Sequence, residues 1–166
     1  MRALEHNLSE EGVSENDRYL EFDLGPEHYA VPLLHVKEVI PIPETTKIPR
    51  APSYFLGVMN LRGHIISIID LRAKLSIKPK TENLEEAVII VDLKGVQIGI
   101  IVDSINKVLA VTKTDVSEVP EISAQVNAKY ISGIHRQEKY LTVLLDLAGV
   151  LDINDIKIIN EKNKAA

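Results

Sequence analysis

The chain repeats itself, so its fold must accommodate two copies of one β-rich unit. Tyr54-Phe-Leu-Gly57 recurs as Tyr130-Ile-Ser-Gly133, and the stretch from Ile65 to Leu71 recurs as Leu141 to Leu147. One offset lays Gly57 on Gly133, Asp70 on Asp146 and Leu71 on Leu147. A second, slightly different offset relates the upstream parts. Asp23-Leu24 and Tyr29 to Val31 are echoed by Asp92-Leu93 and Ile98 to Ile100. Two copies at so long a period do not make a solenoid. They predict two similar small barrels packed together.

The unit is clearest between Gly57 and Leu71. Val58 to Leu61 leads in, Arg62-Gly63 turns, and Ile65 to Ile69 leads out. Gly63 supplies the positive φ that a tight hairpin turn requires. Four β-branched isoleucines on both faces predict a strand buried on both sides. Asp70 is placed to cap a short helix at Leu71 to Leu75. Asp146, its counterpart, should cap Leu147 to Leu151.

The remaining segments follow from local chemistry. Residues 1–17 are polar and acidic and read as a disordered arm. Tyr19 to Leu24 is a strand, Gly25-Pro26 a turn, and Tyr29 to Val31 the return. Pro32 suits a helix start, and Leu33, Val36, Val39 and Ile40 are spaced for one apolar helical face. Pro41, Pro43, Pro49 and Pro52 stiffen the next segment, and Pro52 is expected to start one helical turn that Gly57 ends. Ala87 to Val91 is a buried strand, Lys94-Gly95 its turn, and Val96 to Val102 the return. Asp103 is expected to cap another short helix carrying Ile105, Val108 and Leu109. Residues 110–128 read as a strand edge and a loop. His135 to Lys139 is expected to be a polar hairpin tip. A polar link from Lys78 gives the predicted division: an arm at 1–17, a first barrel at 18–82, a second at 83–152, and a C-terminal segment at 153–166.

Composition removes several functions. The net charge of −5 argues against a large nucleic-acid surface. With no cysteine there is no disulfide, thiol nucleophile or Cys-based metal site. No run approaches the roughly 20 apolar residues of a membrane span, and no hydrophobic signal segment opens the chain. A cytoplasmic protein without direct membrane insertion is the simplest expectation. The five histidines show no HxH, HxxxH or HExxH spacing, so neither metal nor cofactor is expected. There is no phosphate loop and no nucleophile elbow. Asp70 and Asp146 recur with the fold, as capping residues do and a single active site does not.

Arg62 is the odd residue, a charge at a turn between very apolar strands. It is either a solvated or internally paired arginine, or a donor fork for a partner's carboxylate or carbonyls. Glu38 is either an ordinary exposed glutamate or part of the same surface.

The run from Gly57 through Asn60-Leu61-Arg62-Gly63 to Arg72 resembles the signature of CheW-like domains. Tyr29 to Pro32, Val36 to Val39 and Gly99 to Asp103 match as well. The likeness runs from about Tyr19 to about Leu151. It implies a mainly β fold of two packed five-stranded SH3-like barrels with short helices. It also implies a non-catalytic chemotaxis adaptor linking the cytoplasmic tips of chemoreceptors to the regulatory domain of the histidine kinase CheA. A kinase or a receiver-bearing relative would need domains for which 166 residues leave no room. The residues matching the family's receptor-binding surface are Glu38 and Arg62, with Val36, Gly57, Asn60 and Ile65 on or near it. The resemblance puts the kinase contact on the barrel ends. The alternative is a small β-barrel nucleic-acid binder, which would need a basic groove with stacking aromatics. No nucleophile–base pair supports an enzyme.

Overall fold

The computed structural model describes residues 14, 17–78, 85–119 and 130–151. The expected C-terminal segment, most of the N-terminal arm, and parts of the polar link and the 110–128 loop lie outside them. The strands are β1 (Arg18–Leu24), β2 (Glu27–Pro32), β3 (Val36–Pro41), β4 (Phe55–Leu61) and β5 (His64–Asp70). They continue with β6 (Ala87–Leu93), β7 (Val96–Val102), β8 (Ser104–Ala110), β9 (Val116–Ser117), β10 (Ile131–Arg136) and β11 (Leu141–Leu145). Two four-residue helices, α1 (Leu71–Lys74) and α2 (Leu147–Val150), follow β5 and β11.

The strands form two sheets, ordered β8-β1-β2-β11-β10-β9 and β3-β6-β7-β5-β4. These are two SH3-like barrels, as expected, but one sheet has six strands rather than five, the sixth being the two-residue β9, and they do not divide the chain at residue 82. The β1–β2 hairpin pairs with β8 and β11 from the later part of the chain. The β6–β7 hairpin pairs with β3 and β5 from the earlier part. The two copies have exchanged hairpins. A repeat reveals which segments are alike, while pairing is decided by long-range contacts that leave no local trace. The exchanged hairpins dock through parallel pairs, β5 with β7 and β11 with β2, which only a long crossover can join.

Two predicted helices are strands. Leu33–His35 is a single 3-10 turn and β3 follows it, while Ile105, Val108 and Leu109 lie in β8. Each strand carries one extra residue. Val36 pairs with Val91 and Glu38 with Ile90, which leaves Lys37 bulged. Ile105 pairs with Phe22 and Lys107 with Glu21, which leaves Asn106 bulged. A bulge sets same-face residues three apart and so imitates helical spacing. Pro52 likewise makes only a turn, its carbonyl accepting the Phe55 N–H at 3.0 Å, and Gly57 sits inside β4. His135 is not at a hairpin tip. It is a buried residue of β10.

The caps are as expected. Asp70 Oδ1 accepts the backbone N–H of Arg72 at 3.0 Å and of Ala73 at 3.5 Å. Asp146 Oδ1 accepts those of Ala148 and Gly149 at 3.1 and 3.3 Å. Each satisfies N–H groups that the first helical turn leaves free.

The main core joins both sheets. Phe22, Leu24 and Val31 meet Ile69, Ile89, Val91 and Ile100, with Leu145 and Val150 closing over them. Each such side chain contributes about 1.5–3 kcal/mol when fully buried. A second cluster of Met59, Ile66, Ile68, Val88, Ile90 and Ile101 fills the five-stranded barrel. The cluster in the six-stranded barrel is smaller, with Ala30, Leu109, Val111 and Leu144.

Candidate functional site

The five-stranded sheet has β3 and β4 at its ends, and the chain brings these ends together twice. Thr46 pairs with Val58 of β4, through reciprocal hydrogen bonds of 2.8 and 2.9 Å. Near the β4–β5 turn, Arg62 reaches across to Glu38 of β3. Its Nη1 donates to Oε1 at 2.7 Å and its Nη2 to Oε2 at 3.0 Å. Two parallel bonds between a planar donor fork and a carboxylate fix direction as well as distance. The missing acidic partner of Arg62, absent from its sequence neighbourhood, is Glu38.

The turn itself is built for tightness. Arg62 and Gly63 both have positive φ, 51° and 86°, the pattern of a type I′ hairpin. Asn60 Oδ1 accepts the Gly63 N–H at 2.9 Å and so fixes the turn from inside the hairpin. The β6–β7 turn is a close copy: Lys94 and Gly95 have φ of 52° and 84°, and Asp92 accepts the Gly95 N–H at 2.9 Å. The backbone at Arg62 is therefore a feature of the fold. What distinguishes Arg62 is its pairing.

The Arg62 side chain is 72% exposed and that of Glu38 29%, so the pair is a rim feature open to solvent. The Arg62 hydrogen bonds hold the Glu38 carboxyl below the usual glutamate range; desolvation opposes them and the Arg62 charge adds to them. Ile65, opposite Asn60 in the hairpin, is 38% exposed and leaves aliphatic surface beside the turn.

The six residues singled out by resemblance fall into two groups. Glu38, Asn60, Arg62 and Ile65 share the rim. Val36 is half-buried and packs on the main core. Gly57 is buried, and a Cβ there would collide with the Thr46 carbonyl. Its lack of a side chain lets the Thr46 segment approach β4.

Two polar clusters escaped the sequence reading. Asp103 is not a helix cap: it accepts the Gly25 N–H at 2.6 Å and an Arg72 Nη1 hydrogen bond at 2.7 Å. Glu21 is wholly buried inside the six-stranded barrel. Its only sequence signal was a glutamate standing where the other copy has Ile90. Among the described residues no group of three His, Cys, Asp or Glu is arranged to hold a metal ion. None of their helices is long and apolar enough to cross a membrane.

Comparison with known proteins agrees with this geometry. Residues 18–154 match the CheW-like domain. The chain is 32% identical over 136 residues to a probable chemotaxis protein CheW of Rhizobium etli, covering 81% of this chain and 88% of that protein. It is 35% identical over 130 residues to the chemotaxis protein CheW of Treponema pallidum, covering 76% of each. The crystal structure of the scaffolding protein TtCheW from Thermoanaerobacter tengcongensis superposes with a TM-score of 0.75 at 26% identity, over 84% of this chain and 95% of that one. A domain match over nearly all the described residues, relatives of the same extent and the same pair of barrels give one conclusion: the chain belongs to the CheW-like domain family.

Proposed function

We propose that this chain is a non-catalytic chemotaxis adaptor that couples the cytoplasmic tips of methyl-accepting chemoreceptors to the regulatory domain of the histidine kinase CheA. It would work in the cytoplasm, recruited to membrane-bound receptor clusters. The receptor contact is the corner formed by Glu38, Asn60, Arg62 and Ile65, with Val36 and Gly57 shaping it from behind. The observation that carries this reading is the bidentate Arg62–Glu38 pair at an exposed rim, where the two ends of a sheet meet beside aliphatic surface. Such a corner offers apolar contact for affinity and fixed charges for register and choice of partner.

A nucleic-acid reading would need aromatic rings free to stack on bases. Phe22 and Phe55 are core residues here, and Tyr29, Tyr54 and Tyr130 pack against the main core.

The test is reconstitution with receptor tip fragments and the kinase. Adding this chain should carry kinase into the receptor pellet and change its autophosphorylation rate. If it does neither, the adaptor reading fails.

A further inference from the structure

The two barrels are built alike and filled differently. The offset that lays Asp70 on Asp146 also lays Met59 on His135, Leu61 on Gln137 and Ile66 on Thr142. The offset that lays Asp23 on Asp92 lays Glu21 on Ile90. The registers confirm the match. Lys107 pairs with Glu21 as Glu38 pairs with Ile90, and His135 with Thr142 as Met59 with Ile66. Four positions that are apolar in one barrel, three of them buried and the Leu61–Gln137 position half-buried, are therefore polar in the other.

These polar residues form one cluster around the Glu21 carboxylate, which is 0% exposed. Thr142 Oγ1 donates to Oε1 at 2.6 Å and Gln137 Nε2 to the same oxygen at 2.8 Å. Tyr140 OH donates to Oε2 at 3.2 Å, and the bulged Asn106 approaches it at 3.5 Å. Gln137 and Tyr140 are the two ends of the β10–β11 turn, closed by the Gln137 N–H on the Tyr140 carbonyl at 3.0 Å. Two side chains from one turn thus reach back to a single buried carboxylate on β1. The Lys107 ammonium lies 5.5 Å from the centre of the Tyr140 ring and closes the mouth from β8. The counterpart turn at Arg62 is held by its rim ion pair instead.

His135 lies beside this cluster, 7% exposed, and its buried Nδ1 has no hydrogen-bond partner. The charged and titratable groups around the cluster are Glu21 and Asp23 on β1, His28 on β2, whose ring packs 4.2 Å from that of Tyr140, Lys107 on β8, Asp115 ahead of β9, His135 on β10 and Tyr140 at the turn. Burial lowers the His135 pKa. The Asp115 and Glu21 carboxylates oppose that lowering, Lys107 adds to it, and the net direction is down. A ring neutral when folded but protonated more readily when exposed favours opening in acid.

We propose that the Glu21–His135 cluster is a proton-sensitive latch, which ties the β10–β11 turn to β1 and β8 at neutral pH and releases it in mild acid. The sign follows from the lowered folded value. The closing contribution is fully present above the unfolded histidine pKa of about 6.5, and is lost as pH falls toward and through the folded value. Glu21 is the anchor. Replacing its charge by an amide removes charge assistance from every donor and puts an N–H₂ where an acceptor is needed.

The test is amide hydrogen exchange on the full chain, corrected for intrinsic exchange, at about pH 7.5 and about pH 5.5. Protection at Gln137 to Leu141 should fall on acidification, by up to about tenfold, while the β6–β7 turn at Leu93 to Val96 changes little. His135→Met, which installs the residue found at the other barrel's equivalent position, should abolish that pH dependence and leave the turn protected. Glu21→Gln should leave the turn unprotected at both pH values. Should Glu21→Gln not fold, Tyr140→Phe removes one donor alone and should lower protection of the same segment at neutral pH. Equal acid responses at the two turns, an unchanged response in His135→Met, or full protection in both Glu21→Gln and Tyr140→Phe would overturn the proposal.

Discussion

Arg62 and Glu38 come from opposite ends of the five-stranded sheet, yet they meet in a two-point contact of 2.7 and 3.0 Å. Three strands lie between β3 and β4 in the sheet order, so the pair can form only because the sheet has curled into a barrel. It reports closure and at the same time faces solvent. Both readings weighed for Arg62, internal ion pair and donor for a partner, are thus open to one side chain. A guanidinium has five N–H donors and Glu38 engages two of them.

Exchanging the two charges separates those readings. In the double variant Glu38→Arg with Arg62→Glu, an internal pair can re-form with the polarity reversed. Thermal stability should stay close to that of the parent, because exposed pairs contribute little and depend weakly on polarity. Binding to receptor tips should remain weakened by about tenfold or more, since a partner's carboxylate or carbonyl now faces a carboxylate. Receptor binding restored together with the internal pair would show that the partner does not read these charges.

Gly57 and its counterpart Gly133 both sit where a bulged strand meets the closing strand, but they should differ in tolerance. Gly57 has φ of 147°, and a Cβ would run into the Thr46 backbone. At Gly133 the nearest atom to a Cβ is Val116 Cγ1 at 2.6 Å, a side-chain methyl rather than backbone, and no positive φ adds strain. Gly57→Ala is expected to cost about 2–4 kcal/mol in urea unfolding, combining overpacking with backbone strain. Gly133→Ala should cost less, about 1–2 kcal/mol. Equal costs would mean that the Thr46 segment yields easily.

The pH dependence should show Asp23. Burial alone would raise its carboxyl pKa. Hydrogen bonds from Asn106, His28 and Ser104, with the charge of His28, outweigh that and bring it below the usual aspartate range. Its stabilisation is then present above the unfolded value of about 3.9 and lost as pH falls through the lower folded value. Urea unfolding between about pH 5 and about pH 2.5 should show a smaller loss of stability with acid in Asp23→Asn than in the parent. Parallel slopes would exclude Asp23 as a contributor.

How far the sequence carried depended on the range of the interaction concerned. The Asp70 and Asp146 caps and the Gly63 and Gly95 turns depend on residues within three positions, and they were legible. The likeness of the two halves was legible too, because Gly57 and Gly133 mark the same bulge. The exchange of hairpins was not, since nothing local tells β6 to pair with β3. The bulges at Lys37 and Asn106 turned a strand's alternation into a helix's spacing, so β3 and β8 were misread. At the site, Arg62 announced itself as an unpaired charge. Glu38 became its partner only when the sheet closed, and resemblance, not spacing, had singled it out. Arg72 stood in the signature stretch and drew no attention, because its partner Asp103 lies far along the chain.

That last pair gives the sharpest stability prediction. Asp103 is 1% exposed and serves two elements from different sheets. One oxygen accepts the N–H of Gly25, in the exchanged β1–β2 hairpin, and the other accepts from Arg72 on α1, which follows β5. The Asp103 N–H in turn donates to the Asp23 carbonyl at 3.0 Å, so the hairpin is held by backbone and side chain together. Arg72 is only 11% exposed and also donates to Asp70 at 3.1 Å and Glu86 at 3.2 Å. Burial opposes its charge, but the surrounding carboxylates outweigh that and raise its pKa. Asp103→Ala would leave Arg72 two acidic partners but orphan the Gly25 N–H in a buried place. The cost is expected to be about 2–4 kcal/mol, between an unsatisfied amide and a broken buried pair. Asp70→Ala removes a cap and one of three partners of Arg72, and should cost about 1–2 kcal/mol. Because the main core still joins the two sheets, both variants should unfold in one transition, with unchanged urea dependence. A small loss at Asp103 would show that the hairpin is held by the shared core alone, and a first transition confined to β1 and β2 would show that the core does not couple the two sheets.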